Sequence, residues 1–416
     1  MKLYSVRKEK YLAIIALFVF INISQSAKSQ TSVFYYDNLN KSYPNNQIVK
    51  LLESPNKDLY LLGKTSDSKY QINKPILMRV DKKGHFLSRK ILASKYLNKL
   101  NGMVLLPSQD IKIFGSCKSN EKYYPYESIV TPDGRVKTKE AGFSVFSTWL
   151  NDVKTIDEEH VIVVETKKVK TGKFNISVYK VNTKSKEQEW FKKISSEDNE
   201  EANEILVMRD NKIIILGKKY TDDLSSYVPI IYKLTPDGRQ IWKKGIDVPR
   251  NFYNQSICVN KKGVLYYICG YTKETTGLCE TRLITLSSEN KELNHKTFQN
   301  ISANGILSFN KNTFMIYGSN VLVKNSHVVT KAKYIIFDDD FNVVSQKQLG
   351  KNDVPDSEFS KKKFYISPTN SDLLTAMKLS DGRIACAGKI FMPNMKNIKN
   401  APRRNNALLL LIDKDW

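Results

Sequence analysis

The chain has 416 residues, 41% of them hydrophobic, and a formal net charge of +24. That length leaves room for two or three domains of roughly 150 residues each, so only an internal repeat argues for fewer. Beyond the N-terminus no apolar segment approaches the about 20 residues of a helical bilayer span, and five cysteines cannot all pair with one another.

Lys2, Arg7, Lys8 and Lys10 precede a thirteen-residue apolar run from Tyr11 to Ile23, followed by Ala27, Lys28 and Ser29. A basic head, an apolar middle too short to span, and small residues at alternating positions describe a secretory signal peptide over residues 1–29. Cleavage is expected after Ser29, with Ser26 as the second choice. No Cys follows the apolar run, which argues against a lipid anchor. The chain is therefore expected to be exported, to the periplasm, the cell surface or the medium, with residues 30–416 as a single domain. That compartment disfavours nucleic acid as a partner.

From there the chain repeats. A short apolar strand closes on Gly63, Gly115, Gly217, Gly270, Gly318 and Gly388, with Glu165 filling the one gap, at steps of 52, 50, 52, 53, 48 and 70 residues. This is the period of a four-stranded propeller blade. In each unit a first alternating run, such as Ile205-Leu206-Val207-Met208, turns on polar residues and returns through the more apolar strand, here Ile213-Ile214-Ile215-Leu216-Gly217. A third strand ends in a second turn, clearest in Val130-Thr131-Pro132-Asp133-Gly134 and Leu234-Thr235-Pro236-Asp237-Gly238. Pro presets one turn dihedral there and Gly frees the next. A fourth strand follows, as in Trp190-Phe191-Lys192-Lys193. The seventh unit ends with a third strand, Leu408 to Ile412, while Ser32-Val33-Phe34-Tyr35-Tyr36 stands before the first unit with the character of a fourth. The reading is all-β: a seven-bladed β-propeller of four-stranded antiparallel blades, closed by the N-terminal strand completing the last blade.

The run Thr235-Pro236-Asp237-Gly238-Arg239-Gln240-Ile241-Trp242-Lys243-Lys244 resembles the Asp-Gly, spacer, Trp blade signature of secreted bacterial propeller repeat proteins. It is also similar to repeats of quinone-dependent dehydrogenases and WD-type propellers. The likeness spans nearly the whole chain after residue 29 and is strong in the second and fourth units. It implies the fold, and this fold hosts many functions.

The basic excess has a structural reading, since Arg89, Lys90, Lys137, Lys139, Lys192, Lys193, Lys243 and Lys244 fall on fourth strands, where charge discourages edge pairing. Sorting the loops by face adds a functional one. Second-to-third links and blade-to-blade links share a net basic face, and the remaining turns a net acidic one. Two enlarged loops enter the basic face: residues 351–372 with Lys361, Lys362 and Lys363, and Phe391 to Asn406 with Lys396, Lys399, Arg403 and Arg404. These lysines and arginines are the expected ligand contacts. Tyr123 and Tyr124, with Tyr126, either join them as a stacking platform or begin a third strand and pack between blades.

Cys258, Cys269 and Cys279 fall on successive strands of the fifth unit, and a Cys269–Cys279 disulfide is geometrically conceivable; the alternative is that all five cysteines are small buried apolar residues. His85, His160, His295 and His327 make no metal-ligand pair. There is no Gly-x-Ser-x-Gly elbow, phosphate loop or His-Glu-x-x-His helix. Asp338-Asp339-Asp340 reads as a turn more readily than as a calcium loop. No cofactor and no metal are expected. The function expected from sequence is a non-catalytic binding or scaffold propeller recognising an anionic glycan or a protein partner in the cell envelope. The alternative is a propeller enzyme, either a polysaccharide lyase or hydrolase or a quinone-dependent oxidoreductase.

Overall fold

The structure is a computed structural model and describes residues 31–36, 45–67, 73–94, 97–119, 122–140, 148–185, 187–194, 199–221, 226–248, 252–273, 279–308, 312–324, 327–350, 370–392 and 404–414. These form seven four-stranded antiparallel sheets, with no helix among the described residues. Blades 1 to 6 cover residues 45–91, 97–140, 148–193, 200–245, 252–299 and 301–348, each with its strands in chain order. Blade 7 takes three strands from residues 370–412 and its fourth from Thr31–Tyr36, which pairs with Arg404–Ile412 from Thr31 opposite Ile412 to Tyr36 opposite Ala407. The first strand of every blade is innermost and lines a central channel.

The glycine repeat has a steric cause that lies between strands. Each first strand carries a β-bulge, an extra residue that bends it toward the second strand. A Cβ on Gly63, Gly115, Gly217, Gly318 or Gly388 would collide with the first-strand carbonyl oxygen of Gln47, Lys99, Glu201, Ser302 or Asp372, respectively. In blade 5 the bulge falls one residue earlier in the pairing, and the Tyr253 ring occupies that space over Gly270 at 2.8 Å. Blade 3 has Glu165 here, paired with Leu150; burial raises its carboxyl above the usual range, while Lys167 and the Tyr179 hydroxyl oppose that shift.

At the bulges, asparagines tie several blades to the next. The Asn101 amide donates to the Leu150 carbonyl, Asn151 to Ala202 at 2.6 Å, and Asn304 to Leu373 at 2.9 Å. Between these ties lie seven apolar clusters, most of them built from the facing sheets of two successive blades. Ile213, Ile214, Ile215 and Leu216 are all fully buried, and each such side chain contributes about 2 kcal/mol by leaving water.

The third-to-fourth turns explain the Asp-Gly and Trp pairing. The same turn position has positive φ at Gly84, Gly134, Gly238, Asn290 and Phe341. The fourth-strand aromatic of one blade packs on the turn of the next: Trp190 lies 2.9 Å from where a Cβ on Gly238 would stand, and Phe34 covers Gly84 in the same way. Trp242 Nε1 donates to the Ser288 carbonyl of blade 5 at 3.3 Å. Asp338 accepts the amides of Asp340 and Asn342, so its carboxylate serves the turn.

The proposed disulfide is not formed. None of the five cysteines is in a disulfide; Cys269 stands opposite Arg282 and Cys279 opposite Thr272, three register positions apart, because the connection is not folded about the midpoint between them.

Candidate functional site

On the face that receives the second-to-third links, blades 2 to 4 carry a row of aromatic rings. Second and third strands end there in cross-strand pairs: Lys118 opposite Tyr123 in blade 2, Lys168 opposite Phe174 in blade 3, and Tyr220 opposite Tyr227 in blade 4. Trp149, near the start of the first strand of blade 3, fits between the first two pairs. Ring centroids then follow one another at 5.1 Å from Tyr123 to Trp149, 5.2 Å to Phe174, 6.0 Å to Tyr220 and 5.6 Å to Tyr227. All five rings are half-buried, and Tyr227 ends the row on the fully buried Phe252, whose carbonyl accepts its hydroxyl at 2.6 Å. The Lys118, Lys168 and Lys218 ammonium groups lie 5.5, 5.9 and 4.7 Å from the centroids of Tyr123, Phe174 and Tyr227, as cation–π partners.

Inside the row, toward the channel, is a cleft of about 360 Å³ lined by Asn98, Lys99, Ser116, Lys118, Tyr123, Trp149, Lys168, Phe174, Glu201 and Tyr220. Among the described residues Glu201 is its sole carboxylate, and it accepts the Tyr220 hydroxyl at 2.6 Å. Burial, Glu201 and that hydrogen bond push the Tyr220 phenol well above its ordinary range, so it stays protonated. Crowding by the cleft walls and then the nearby Lys50 lower the Lys99 amine from its ordinary 10.5. Beside it, Lys64 donates to the Asn98 carbonyl at 2.6 Å, and burial together with Lys99 brings its pKa down to about 8. Two amines with lowered pKa values thus flank the cleft, with a phenol held in its acid form opposite.

Below the cleft the channel holds a cavity of about 330 Å³. Lys99 lines both spaces. Deeper, Asp152 lies 3.4 Å from Lys154 and 3.6 Å from Lys50, and it accepts the Ile205 amide at 3.1 Å. Burial works against its charge, but the two lysines prevail and hold its carboxyl below the usual range. Glu204 is pushed the other way by burial. Both carboxylates are enclosed and committed to neighbours, so they serve the channel rather than the cleft.

Of the residues singled out from sequence, Tyr123 faces the cleft, whereas Tyr124 is 4% exposed and packs with Leu97 and Ile113 in the core between blades 1 and 2. Alternation along a strand sends neighbouring side chains to opposite faces, so the two could not share one platform. Lys361, Lys362, Lys363, Lys396, Lys399 and Arg403 lie outside the described residues; Arg404 begins the last strand, opposite Met392. Lys243 reaches the fully buried Glu200 at 2.6 Å and Lys244 donates to the Asn290 carbonyl at 2.7 Å, so these two fourth-strand lysines bind within and between blades as well as guarding an edge. Trp149, Lys168, Phe174, Tyr220 and Lys99 went unnoticed because they are scattered over different strands of three repeats and form no local motif.

The fold and the cleft define a seven-bladed β-propeller with an aromatic, basic groove on one face. Compared with solved structures, the chain is similar to the polysaccharide lyase Uly1, with a TM-score of 0.55 and 10% identity over 92% of each chain. It is also similar to the GH93 α-L-arabinofuranosidase of Fusarium graminearum (TM-score 0.47, 11% identity, 73% of this chain and 97% of that one) and to an α-L-arabinanase of Penicillium chrysogenum (0.48, 10%, 75% and 99%). No family model and no curated protein matches. At these identities the likeness shows the fold. It nevertheless corrects the expectation of a non-catalytic binding or scaffold protein: the propeller that this chain overlays across 92% of both lengths is an enzyme.

Proposed function

We propose that this protein is an enzyme that cleaves an anionic polysaccharide by β-elimination in the cleft of blades 2 to 4. The observation that carries the reading is the placement of the Lys99 amine in a groove that offers rings for sugar faces and lysines for carboxylates, and its pKa is shifted downward. Lys118 and Lys168 would neutralise the uronate carboxylate, which acidifies the adjacent C–H. Lys99 takes that proton, the electron pair forms the carbon–carbon double bond, and the glycosidic C–O bond at the β position breaks. The departing oxygen takes a proton from the Tyr220–Glu201 pair. Hydrolysis by two carboxylic groups is less well supported, since Glu201 is the cleft's single carboxylate among the described residues. The signal peptide read over residues 1–29 belongs to the same proposal, because it would deliver the enzyme to where such polymers occur. Among the described residues no helix is long and apolar enough to cross a membrane.

The test is incubation with uronate polysaccharides while following the ultraviolet absorbance of the unsaturated product. Wild type should generate it, and Lys99→Met should lose at least about a hundredfold in rate, the scale of a lost general base, with an unchanged melting curve. Full activity in Lys99→Met would remove Lys99 from the mechanism, and new reducing ends without absorbance would replace elimination by hydrolysis.

A further inference from the structure

The lysines are spaced along the aromatic row with a period of two. Tyr123 carries Lys118, Trp149 carries none, Phe174 carries Lys168, Tyr220 carries none, and Tyr227 carries Lys218. One of the bare rings differs in a second way. Tyr220 is bonded to the Glu201 carboxylate, an acceptor that repels an anion and welcomes a hydroxyl. Blade geometry sets this rhythm, because the charged rings are all third-strand starts, at equivalent places in three successive blades. The row is confined to one arc: the corresponding pairs are Ser66 with Asn73 in blade 1, Val321 with Thr330 in blade 6 and Phe391 with Asn405 in blade 7, while the pairing in blade 5 ends one position earlier, at Thr272 with Cys279.

We infer that the row binds a linear polysaccharide with a disaccharide repeat and one anionic group per repeat, laid along the arc with each acidic sugar beside a lysine-bearing ring and each uncharged sugar beside a bare one. This rests on the reading of the cleft as a polysaccharide site and specifies its substrate. Centroid steps of 5.1 to 6.0 Å follow the advance of single sugar rings along an extended chain. Every ring must then contribute to affinity in register, and a chain charged on every residue would set an anion against Glu201. Because the row runs through three blades rather than ending in a closed pocket, the polymer can be entered along its length, and cleavage should begin at internal bonds.

The experiment is calorimetric titration of the full chain with hyaluronan and unsulfated chondroitin oligosaccharides, which carry one carboxylate per disaccharide, against oligogalacturonates, which carry one per sugar, at matched salt and rising even length. At least one alternating series should gain affinity with length until it covers five rings and then stop gaining. It should also bind at least about tenfold more tightly than the galacturonate of equal length, equivalent to about 1.4 kcal/mol. Lys168→Ala, at the centre of the row, should weaken that binding several-fold and lessen its salt dependence, and Lys168→Arg should restore both. Equal or tighter binding of galacturonate, affinity independent of length, or no binding of either alternating polymer would overturn the assignment. Binding of the alternating chain without any unsaturated product would support the assignment while removing β-elimination. Unsaturated product formed equally well from both kinds of polymer would do the reverse.

Discussion

Lys50 of blade 1 and Asp152 of blade 3 meet across the intervening blade, with 3.6 Å between Nζ and Oδ1. Blade 2 places Gly102 at this level, as blade 6 places Gly305, so no side chain of blade 2 stands between the partners. The bridge braces the channel wall beneath the cleft. Lys50 is partly exposed while the Asp152 carboxylate is 2% exposed, so losing the cation leaves the carboxylate buried with Lys154 and the Ile205 amide alone. Lys50→Met should lower stability at neutral pH by about 1–2 kcal/mol, the discounted scale for a half-exposed pair. A depressed folded-state pKa gives stability that is present above the ordinary 3.8 and lost as pH falls through the folded value. The variant should therefore begin to lose stability at higher pH than wild type, and urea midpoints across the acid range measure this.

The glycine repeat makes a paired prediction. Gly388→Ala drives a Cβ into the Asp372 carbonyl, a backbone atom that cannot swing away. It should cost about 2 kcal/mol or more, in the range of overpacked cores. Gly245→Ala, on an outer strand with no atom near the added Cβ and no positive φ, should be neutral or slightly stabilising. Thermal denaturation of the two variants decides it, and equal losses would remove the steric explanation of the repeat.

Asp372 itself should make stability fall with rising pH. Burial raises its carboxyl to about 6, against partial opposition from Lys389 and hydrogen bonds from Ser319 and Asn304. The folded state thus holds a proton that the unfolded chain releases near 3.8, so stability declines between about pH 4 and 6 and stays lower above that window. Asp372→Asn should abolish this decline and gain at most about 3 kcal/mol at pH 7 from a shift of about two units. Asn304, which donates to Oδ1 at 2.7 Å, keeps its acceptor in the variant.

In the cleft, the rate on a cleavable polymer should rise with pH as the Lys99 amine loses its proton, along a limb below the ordinary lysine value of 10.5. Trp149→Ala should raise KM several-fold with a smaller effect on kcat, since it removes a platform shared by ground and transition states. Lys99→Arg should retain binding and lose the limb. A pH profile of kcat/KM for the three proteins tests the division between a binding ring and a reacting amine.

Much of the architecture was legible because the repeat is steric. Where a bulge brings a carbonyl against Cα, Gly fits best, and five copies reveal the blade although blade 3 has Glu165 there; Phe34 and Trp190 likewise had to match the turns of the following blades. A second signal was present and passed over: Asn101, Asn151, Asn203, Asn254 and Asn304 recur at the same period and mark the inner strands. The cleft was not legible. Its rings come from first, second and third strands of three blades, and whether Lys168 faces Phe174 depends on the register set by a hairpin turn, which no local pattern states. Charge counting drew attention to the long basic loops instead. Tyr123 was found and Tyr124 misplaced beside it because a row of tyrosines does not declare which member turns outward.

The closing strand of blade 7 has a kinetic consequence. Thr31–Tyr36 is the first of the strands to leave the ribosome, and its partner Arg404–Ile412 is the last. Until both are present the circle is an open arc with an unpaired edge at each end, and contacts so distant in the chain form slowly. The latch can shut only after Arg404–Ile412 has been made, so the blades between the two strands can form before the ring closes. Hydrogen exchange during refolding should show Leu408–Leu411 gaining protection after Ile213–Leu216.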